Sequence, residues 1–184
     1  MDTSLMAIRK EMADYLDNHP NTENAQVLRD LLASDNDLFA RGDSSAHITA
    51  SAWILNDEIT HALLIEHGKY LTFCPPGGHI DPGETVMQAC LREAMEEVGL
   101  VLLRLLGAKI FDVDIHRIPA SVKKNEPEHW HIDVRYAVIA DKNEKVKLNL
   151  EECRSYVWKA LAEMLNGKDR SLSRLSGKTL ALSL

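Results

Sequence analysis

The sequence lacks the features that mark secreted, membrane-spanning or disulfide-rich proteins. Only three cysteines, Cys74, Cys90 and Cys153, occur in 184 residues. An odd number at wide spacing argues against a disulfide framework or a cysteine-based zinc site. No apolar run has the length of a membrane span, and the first residues, MDTSLMAIRKEMADYL, lack an apolar signal core. We therefore expect a protein of the reducing cytoplasm with no membrane partner.

Positive charge is also in short supply. The chain has 21 Lys and Arg against 28 Asp and Glu, which gives a formal net charge of −7. This balance argues against a stable nucleic-acid partner, although an acidic chain can still bind polyphosphates when metal ions mediate the contact. The hydrophobic content of 45% is ordinary for one globular domain with a sizeable core and a small appendage.

The first part of the chain is patterned as helix. Residues 4–17 and 22–41 carry apolar side chains at helical spacing, and RGDSS at 41–45 ends the unit. We predict a helical extension over residues 1–43 and a main domain over residues 44–184. The apolar stripes of the extension are expected to pack against the main domain or against a second subunit, in which case the chain is a homodimer.

The main domain alternates between strand and helix patterns. Strands are predicted at 47–55, 60–67, 70–74, 101–115, 130–140 and 156–160. A helix is expected to begin at Val86, because Thr85 and Gln88 have the form of a capping box, and to end at Gly99. A polar loop is predicted at 116–129, and short helices at 159–166 and 170–182. This order predicts an α+β fold, an α/β/α sandwich around a mixed sheet.

Residues 78–100, GHIDPGETVMQACLREAMEEVGL, contain an unusual group of acids. On a helix Glu93, Glu96 and Glu97 share one face, where like charges repel by about 0.2–0.5 kcal/mol per pair. The nearby negative pole of the helix dipole adds roughly 0.3–1 kcal/mol for each carboxylate. A bound dication would offset this repulsion, since Mg²⁺ prefers carboxylate, carbonyl and water oxygens. Taken alone, such a run of charge is more often a solvated acidic face, and a metal site is the alternative that the wider pattern of the segment decides.

The spacing of this segment resembles the Nudix signature, G-x5-E-x7-R-E-U-x-E-E-x-G-U, in which U is a bulky apolar residue. The matching positions are Gly78, Glu84, Arg92, Glu93, Glu96, Glu97 and Gly99. The one soft departure is Ala94, which is small for a U position but leaves the charged positions untouched. The resemblance implies a Nudix fold over residues 45–160, with the signature on a loop–helix–loop.

The same resemblance implies a function. It is hydrolysis of a phosphoanhydride bond in a nucleoside diphosphate linked to another group, such as a nucleoside triphosphate, a nucleotide sugar or ADP-ribose. The implied ion is Mg²⁺, with Mn²⁺ as the alternative, and the implied ligands are Glu93, Glu96, Glu97 and the carbonyl of Gly78. The candidate catalytic residues are Glu97, Glu96, Arg92 and Glu152.

Within that set the roles differ. Glu97 is the first choice for the general base, and Arg92 is expected to act as a scaffold that holds a glutamate through a fork-shaped pair. Glu152 falls where some family members carry an extra metal ligand. Other acidic residues stay open as alternatives for the base, namely Glu126, Glu128 and Glu151.

A second polar feature is HWHIDVRY at 129–136. Strand alternation places His129, His131, Asp133 and Arg135 on one face. If that face lines the cleft, Arg135 is predicted to contact a phosphate of the nucleotide, and His131 to contact a leaving group or act as a base. A salt-bridged or exposed strand face is the alternative interpretation.

A Nudix fold is also compatible with two other functions. One is a regulatory module that senses a nucleotide without cleaving it, and such modules commonly lose signature glutamates. The other is an isomerase of isoprenyl diphosphates, which relies on a reactive cysteine. The signature is intact here, and Cys74 has no obvious partner in the sequence, so hydrolysis is favoured.

Overall fold

The computed structural model describes residues 3–40, 45–68, 71–121 and 126–182. The helices in this part are α1 (Thr3–Asn18), α2 (Ala25–Ala33), α3 (Val86–Val98), α4 (Leu161–Leu165) and α5 (Arg170–Leu180). The strands are β1 (Ala46–Asn56), β2 (His61–His67), β3 (Phe73–Cys74), β4 (Gly77–His79), β5 (Arg104–Leu105), β6 (Asp112–Ile118), β7 (His129–Ala140) and β8 (Cys153–Ala160).

Two long strands form the middle of the sheet. β1 and β7 run parallel along their whole length, with Ala46 opposite Trp130 and Asn56 opposite Ala140. β4 pairs antiparallel with the first half of β1, and β2 with its second half. β5 and β6 pair antiparallel with β7, while β3 and β8 pair antiparallel with β2. The sheet is therefore mixed, which confirms the predicted α+β class.

Helices cover both faces of this sheet. On one face, Ala50, Ala52 and Ile54 of β1 share a core with α1, α2 and α3. On the other face, Trp53 and Leu55 pack in a second core with α4 and α5. Alternate side chains of β1 thus pack in the two cores on opposite faces of the sheet. This confirms the predicted α/β/α sandwich.

Helix α3 begins and ends where the sequence predicted. Thr85 Oγ1 accepts the N–H of Gln88, and the Gln88 side chain accepts the N–H of Thr85, which completes the capping box. Gly99 follows the helix with φ of 66°, in the left-handed region that favours glycine. The local signals at both ends therefore fix the helix that carries the acidic residues.

The predicted helix at 22–41 is too long. Helix α2 ends at Ala33, and the chain continues in an extended conformation at Ser34. The Ser34 hydroxyl donates to the carbonyl of Leu31, and Asp37 Oδ1 accepts the N–H of Phe39. Such local side-chain bonds compete with helical hydrogen bonds, which explains why the apolar pattern alone overestimated the helix.

The predicted strand at 101–115 is wrong over its middle. Only β5 and the start of β6 lie in this range. Gly107, with φ of 87°, turns the chain between them, and Val101 and Leu102 are exposed rather than buried in the sheet. The apolar residues of this segment therefore belong to two strands joined by a loop with a turn, not to one strand.

Some predictions fall outside the described residues. They concern positions 41–44 of the RGDSS stretch, Tyr70 of the strand predicted at 70–74, and positions 122–125 of the predicted loop. The domain boundary at residues 43 and 44 stays a prediction. The apolar residues of α1 and α2 pack in the same core as the sheet, which accounts for their helical pattern within one chain; a homodimer stays a prediction.

Candidate active site

Strand β4 brings the main chain directly against two glutamates of α3. A Cβ added at Gly78 would overlap the carboxylate of Glu93. The N–H of Gly77 donates to Oε2 of Glu97 at 2.8 Å. Because glycine has no side chain, it alone permits this approach without displacing the carboxylate of Glu93. The main chain of Gly77 and Gly78 thus meets both carboxylates at one place.

Arg92 holds the rest of the acidic group in place. Its Nε and Nη2 donate to the two carboxylate oxygens of Glu84 at 2.9 and 3.0 Å. Its Nη1 donates to Glu93 at 2.9 Å and to Glu96 at 3.0 Å, and its Nη2 also donates to the carbonyl of His79 at 2.8 Å. This is the fork-shaped pair that the sequence predicted. The hydrogen bond from Arg92 holds the pKa of Glu84 below its usual range.

The carboxylates of Glu97 and Glu93 carry charge that the chain does not fully neutralise. Glu97 is 4% exposed, and its burial, with the charges of Glu93 and Glu152, raises its pKa to about 7. Burial also raises the pKa of Glu93, although its pairing with Arg92 opposes this. In the described part of the chain Glu97 has no ion pair. Its Oε1 accepts only a weak hydrogen bond, from the thiol of Cys153 at 3.5 Å.

This arrangement fits a hard divalent cation. Carboxylate and main-chain carbonyl oxygens are the donors that such ions prefer, and a nearby positive charge would relieve the raised pKa of both buried glutamates. The structure therefore brings together Gly78, Glu93 and Glu97 of the predicted metal ligands. Glu96 lies at the rim, where its side chain is 54% exposed and paired with Arg92.

Glu152 lies near the carboxylates of Glu93 and Glu97. It is exposed in the turn before β8, yet its charge is close enough to raise the pKa values of both Glu93 and Glu97. The role of Glu152 as a further ligand or a base stays a prediction. Glu151, also exposed, is the preceding residue of the same turn.

The other acidic candidates lie away from these contacts. Glu128 pairs with Arg117, and both side chains are more than half exposed. Glu126 forms an isolated bridge with Ser121. Among the described residues, neither Glu126 nor Glu128 forms a hydrogen bond or ion pair with the glutamates of α3. Their roles as alternative bases stay predictions.

The polar face of β7 is confirmed. The imidazole centroids of His129 and His131 lie 5.1 Å apart, and Nε of Arg135 donates to Asp133 Oδ2 at 2.7 Å. Asp133 Oδ1 accepts the hydroxyl of Ser51 at 2.7 Å. These four β7 side chains thus share one face of the sheet with side chains of β1.

Arg135, however, is engaged by acidic residues of the chain itself. Its side chain is 6% exposed and pairs with Asp112, Asp114 and Asp133. Its Nη1 also donates to the Ser171 hydroxyl at 2.5 Å. A nucleotide phosphate would have to displace these partners, so the geometry agrees with the salt-bridged alternative. The phosphate contact of Arg135 stays a prediction that this placement disfavours.

Asp112 is the centre of a network that the sequence did not reveal. Its side chain is 0% exposed and pairs with Arg174 at 2.8 Å and Lys178 at 2.7 Å. It also accepts the hydroxyl of Tyr15 at 3.0 Å. Burial alone would raise the pKa of Asp112, but the hydrogen bond from Arg174 and the charges of Arg135 and Lys178 hold it below its usual range. The one local signal was the spacing of Arg174 and Lys178 on one face of α5.

His131 belongs to a group of imidazoles that we call the histidine cluster, formed by His47, His79, His116, His129 and His131. The ring centroid of His47 lies 4.6 Å from that of His131 and 5.0 Å from that of His79. Burial and the neighbouring histidines lower the pKa of His131 to about 2, so its imidazole is uncharged at neutral pH. Its predicted contact with a leaving group stays a prediction.

A cavity borders the acidic site on the side of the N-terminal helices. Its volume is about 700 Å³, and it is lined by residues of α1, by the segment that follows α2 and by Ile80 to Glu84. Its lining includes Glu84 but neither Glu93 nor Glu97. The cavity therefore adjoins the proposed metal ligands without containing them. No helix among the described residues is long and apolar enough to cross a membrane.

Comparisons with known sequences agree with this geometry. A family profile for the NUDIX domain matches residues 45–176. The chain is 30% identical over 125 residues to a probable DHNTP pyrophosphohydrolase of Lactococcus lactis, across 67% of this chain and 73% of that protein. It is 32% identical over 108 residues to the asymmetrical bis(5'-nucleosyl)-tetraphosphatase of Mus musculus, across 59% of this chain and 69% of that protein.

Solved structures show the same fold. A NUDIX-family hydrolase from Clostridium perfringens superposes with a TM-score of 0.54 at 26% identity, over 72% of this chain and 95% of that chain. An Ap4A hydrolase of C. elegans superposes with a TM-score of 0.57 at 21% identity, over 73% of this chain and 95% of that chain. At that identity the second comparison concerns the fold alone.

Proposed function

The chain belongs to the Nudix family of pyrophosphohydrolases, and we propose that it uses Mg²⁺ to hydrolyse a phosphoanhydride bond in a nucleoside diphosphate linked to another group. The observation that carries this proposal is the close contact of two carboxylates with the main chain: Glu97 accepts the N–H of Gly77, and Glu93 lies against Gly78. Both carboxylates have raised pKa values because they are buried. An external cation would offset that cost.

Each residue of the site has a separate task in this proposal. Glu93, Glu97 and the Gly78 carbonyl would hold the ion, with Glu96 at the rim. When bound, Mg²⁺ supplies neutralisation of phosphate charge and activation of a water for attack at phosphorus. Arg92 positions Glu93 and Glu96 through its hydrogen bonds.

Two residues compete for the role of general base. Glu97 is buried, and both its oxygens accept hydrogen bonds, from Gly77 and Cys153. Glu152 is exposed beside the same carboxylates and is free to reach a water at the rim. If Glu152 is the base, Glu152→Gln lowers kcat and leaves the Mg²⁺ concentration needed for half-maximal rate unchanged. If Glu97 acts only as a ligand, Glu97→Gln raises the Mg²⁺ concentration needed for half-maximal rate.

The substrate proposal draws on the names of the relatives. One is called a DHNTP pyrophosphohydrolase and another a bis(5'-nucleosyl)-tetraphosphatase. Their names favour triphosphates and dinucleoside tetraphosphates as the first compounds to test. Nucleotide sugars and ADP-ribose complete the set. A cytoplasmic location, which the three free cysteines favour, is part of the same proposal.

The test is a substrate panel incubated with the protein and Mg²⁺, with products separated by chromatography. We expect cleavage at a phosphoanhydride bond that requires the ion and is lost in Glu97→Gln. Glu163→Gln is the matched control, because Glu163 is an exposed glutamate of α4, and it should retain full activity. Tight binding of one compound without turnover would overturn the proposal in favour of a nucleotide-sensing module.

A further inference from the structure

Three histidines from three different strands converge on the sheet face opposite α3. They are His47 of β1, His79 of β4 and His131 of β7, and one ring nitrogen of each lies within 4.8 Å of the other two. The Nε2 atoms of His47 and His79 are 3.1 Å apart. Nitrogens bound to a tetrahedral zinc ion at 2.0–2.1 Å are about 3.3–3.4 Å from each other. The His47–His79 pair, which is hydrogen-bonded in this structure, is thus spaced nearly as two metal ligands would be, and His131 lies within 4.8 Å of both.

Regular strand pairing fixes this convergence. The parallel register of β1 and β7 sets His47 opposite His131, and the pairing of β4 with β1 sets His79 opposite Thr49. Residues 47 and 49 point to the same face of β1, so all three imidazoles share that face. Ligands placed on strands of a sheet are held more precisely than ligands placed on loops.

Two further imidazoles, those of His116 and His129, flank His131. Nδ1 of His129 contacts the carbonyl of Pro127 at 2.8 Å, and Nδ1 of His116 contacts Asp114 at 3.0 Å. The rings of His129 and His116 lie 5.1 and 5.6 Å from that of His131. These hydrogen bonds restrict the orientation of His116 and His129, which form the wall of the site beside His131. Solvent can enter, since His79 and His131 are only partly buried.

The donor chemistry differs from that of the acidic site. Imidazole nitrogens suit Zn²⁺, Cu²⁺ and Ni²⁺, whereas Mg²⁺ prefers oxygen ligands. We propose that His47, His79 and His131 form a second metal site, which binds one divalent transition-metal ion through three imidazole nitrogens and leaves its remaining position to water. His79 directly follows Gly78, and its carbonyl accepts a hydrogen bond from Arg92. An ion at this site would therefore fix the end of β4 that carries Gly78.

Co²⁺ is the probe for this site, because tetrahedral Co²⁺ absorbs strongly in the visible range and octahedral Co²⁺ only weakly. The full-length chain is freed of metal with a chelator and titrated with Co²⁺ in the absence of Mg²⁺. We expect intense absorption that saturates at one ion per chain and is displaced by Zn²⁺. His79→Gln and His131→Gln should each weaken Co²⁺ binding by more than about 100-fold, since loss of an outer partner alone costs 10–100-fold.

Two matched variants separate this site from other ligands. His61→Gln changes a β2 histidine whose Nδ1 contacts Thr60, outside the cluster, and should leave the titration unchanged. Glu97→Gln removes a carboxylate of the acidic site and should also leave it unchanged. Weak absorption in the wild-type chain, or its loss in Glu97→Gln but not in His79→Gln, would overturn the proposal.

Two further measurements guard against trivial loss of binding. Circular dichroism and urea unfolding report whether each variant folds. If His131→Gln does not fold, the Co²⁺ titration of His79→Gln tests the site on its own. X-ray absorption of the zinc-loaded wild-type chain should show three imidazole ligands, and a shell of oxygen atoms alone would refute the site. Because none of these readouts depends on hydrolysis, failure of this site and failure of the proposed hydrolase are distinguishable.

Discussion

The structure buries carboxylates in two regions and treats them in opposite ways. Around Asp112 the chain supplies Arg135, Arg174 and Lys178, and the pKa of Asp112 lies below its usual range. Around Glu97 the described chain supplies no cation, and burial raises the pKa to about 7. Both sites are closed to solvent to a similar degree, so the contrast comes from the partners rather than from burial.

That contrast separates structure from function. A buried charge that is paired and hydrogen-bonded costs little, while an unpaired one costs several kcal/mol or takes up a proton. The Asp112 network is complete with the chain's own residues and joins α1, α5 and β6. Among the described residues Glu97 has no paired cation, and Glu93 shares Arg92 with two other glutamates. Such a deficit of positive charge is expected where an ion arrives from outside.

Breaking the completed network should give the largest change. Arg135→Ala would leave Asp112, Asp114 and Asp133 with less positive charge in a buried place. We expect the free energy of unfolding to fall by about 3–5 kcal/mol, the usual cost of removing one partner from a buried pair. Urea unfolding followed by circular dichroism measures this change.

The control for Arg135 is an exposed arginine. Arg104 has a 69% exposed side chain and lies 3.9 Å from Asp57, so Arg104→Ala should cost less than about 1 kcal/mol. If Arg135→Ala instead kept its stability and raised KM sharply, Arg135 would contact the substrate, as the sequence alone allowed. The comparison of the two regions would then fail.

Supplying the missing cation should produce the next largest change. Mg²⁺ at 100 times its dissociation constant should stabilise the wild-type chain by about 2.7 kcal/mol at pH 8. The gain should shrink at pH 5, because the carboxylates must lose their protons to bind the ion. Thermal unfolding with and without Mg²⁺ measures it. Equal stabilisation of Glu97→Gln would show that the ion binds elsewhere, whereas Glu163→Gln should behave as the wild type does.

The free energy of unfolding of the metal-free chain should depend on pH, with a smaller effect whose sign follows from the pKa of Glu97. Burial raises the pKa of Glu97 from 4.5 to about 7, so the folded chain holds more protons than the unfolded chain between these values. Stability contributed by Glu97 is therefore present below pH 4.5 and is lost as pH rises towards 7. The full loss is roughly 1–3 kcal/mol.

His131 opposes this trend, which decides how the measurement is made. Its pKa falls from 6.5 to about 2, so its contribution grows as pH rises through that range. The stability of Glu97→Gln relative to the wild type, measured with urea in a chelating buffer, isolates the glutamate. We expect the variant to gain on the wild type between pH 4.5 and 8. A difference that does not change with pH would contradict the raised pKa of Glu97.

The two regions also differ in how far the sequence could predict them. The glutamates of α3 lie within five residues, and their helix has local signals at both ends in Thr85 and Gly99. Their shared face follows from helical geometry. The main part of the acidic site could therefore be predicted without tertiary contacts.

The Asp112 network and the histidine cluster depend on contacts between distant residues. Arg174 and Asp112 are 62 positions apart, and His47 reaches His131 only through the parallel pairing of β1 with β7. Alternation placed Arg135 on a polar face correctly, but a phosphate and an aspartate attract an arginine equally well. The sequence could not choose between them, because the choice depends on β6 and α5.

The N-terminal helices were the least predictable part, and Tyr15 of α1 tests how they are attached. Its hydroxyl donates to Asp112 at 3.0 Å, and Lys178 Nζ lies 4.6 Å from the centroid of its ring. Tyr15→Phe keeps the ring contact and removes two hydrogen bonds, the one donated to Asp112 and the one accepted from Lys178, so we expect a loss of about 1.5–3 kcal/mol in the free energy of unfolding. Tyr156→Phe, at a tyrosine that is 43% exposed, should change stability by less than about 0.5 kcal/mol. Equal effects of the two variants would show that the network around Asp112 is complete without α1, and the extension would then be held by its apolar contacts and by other hydrogen bonds, such as that from Tyr136 to Glu11.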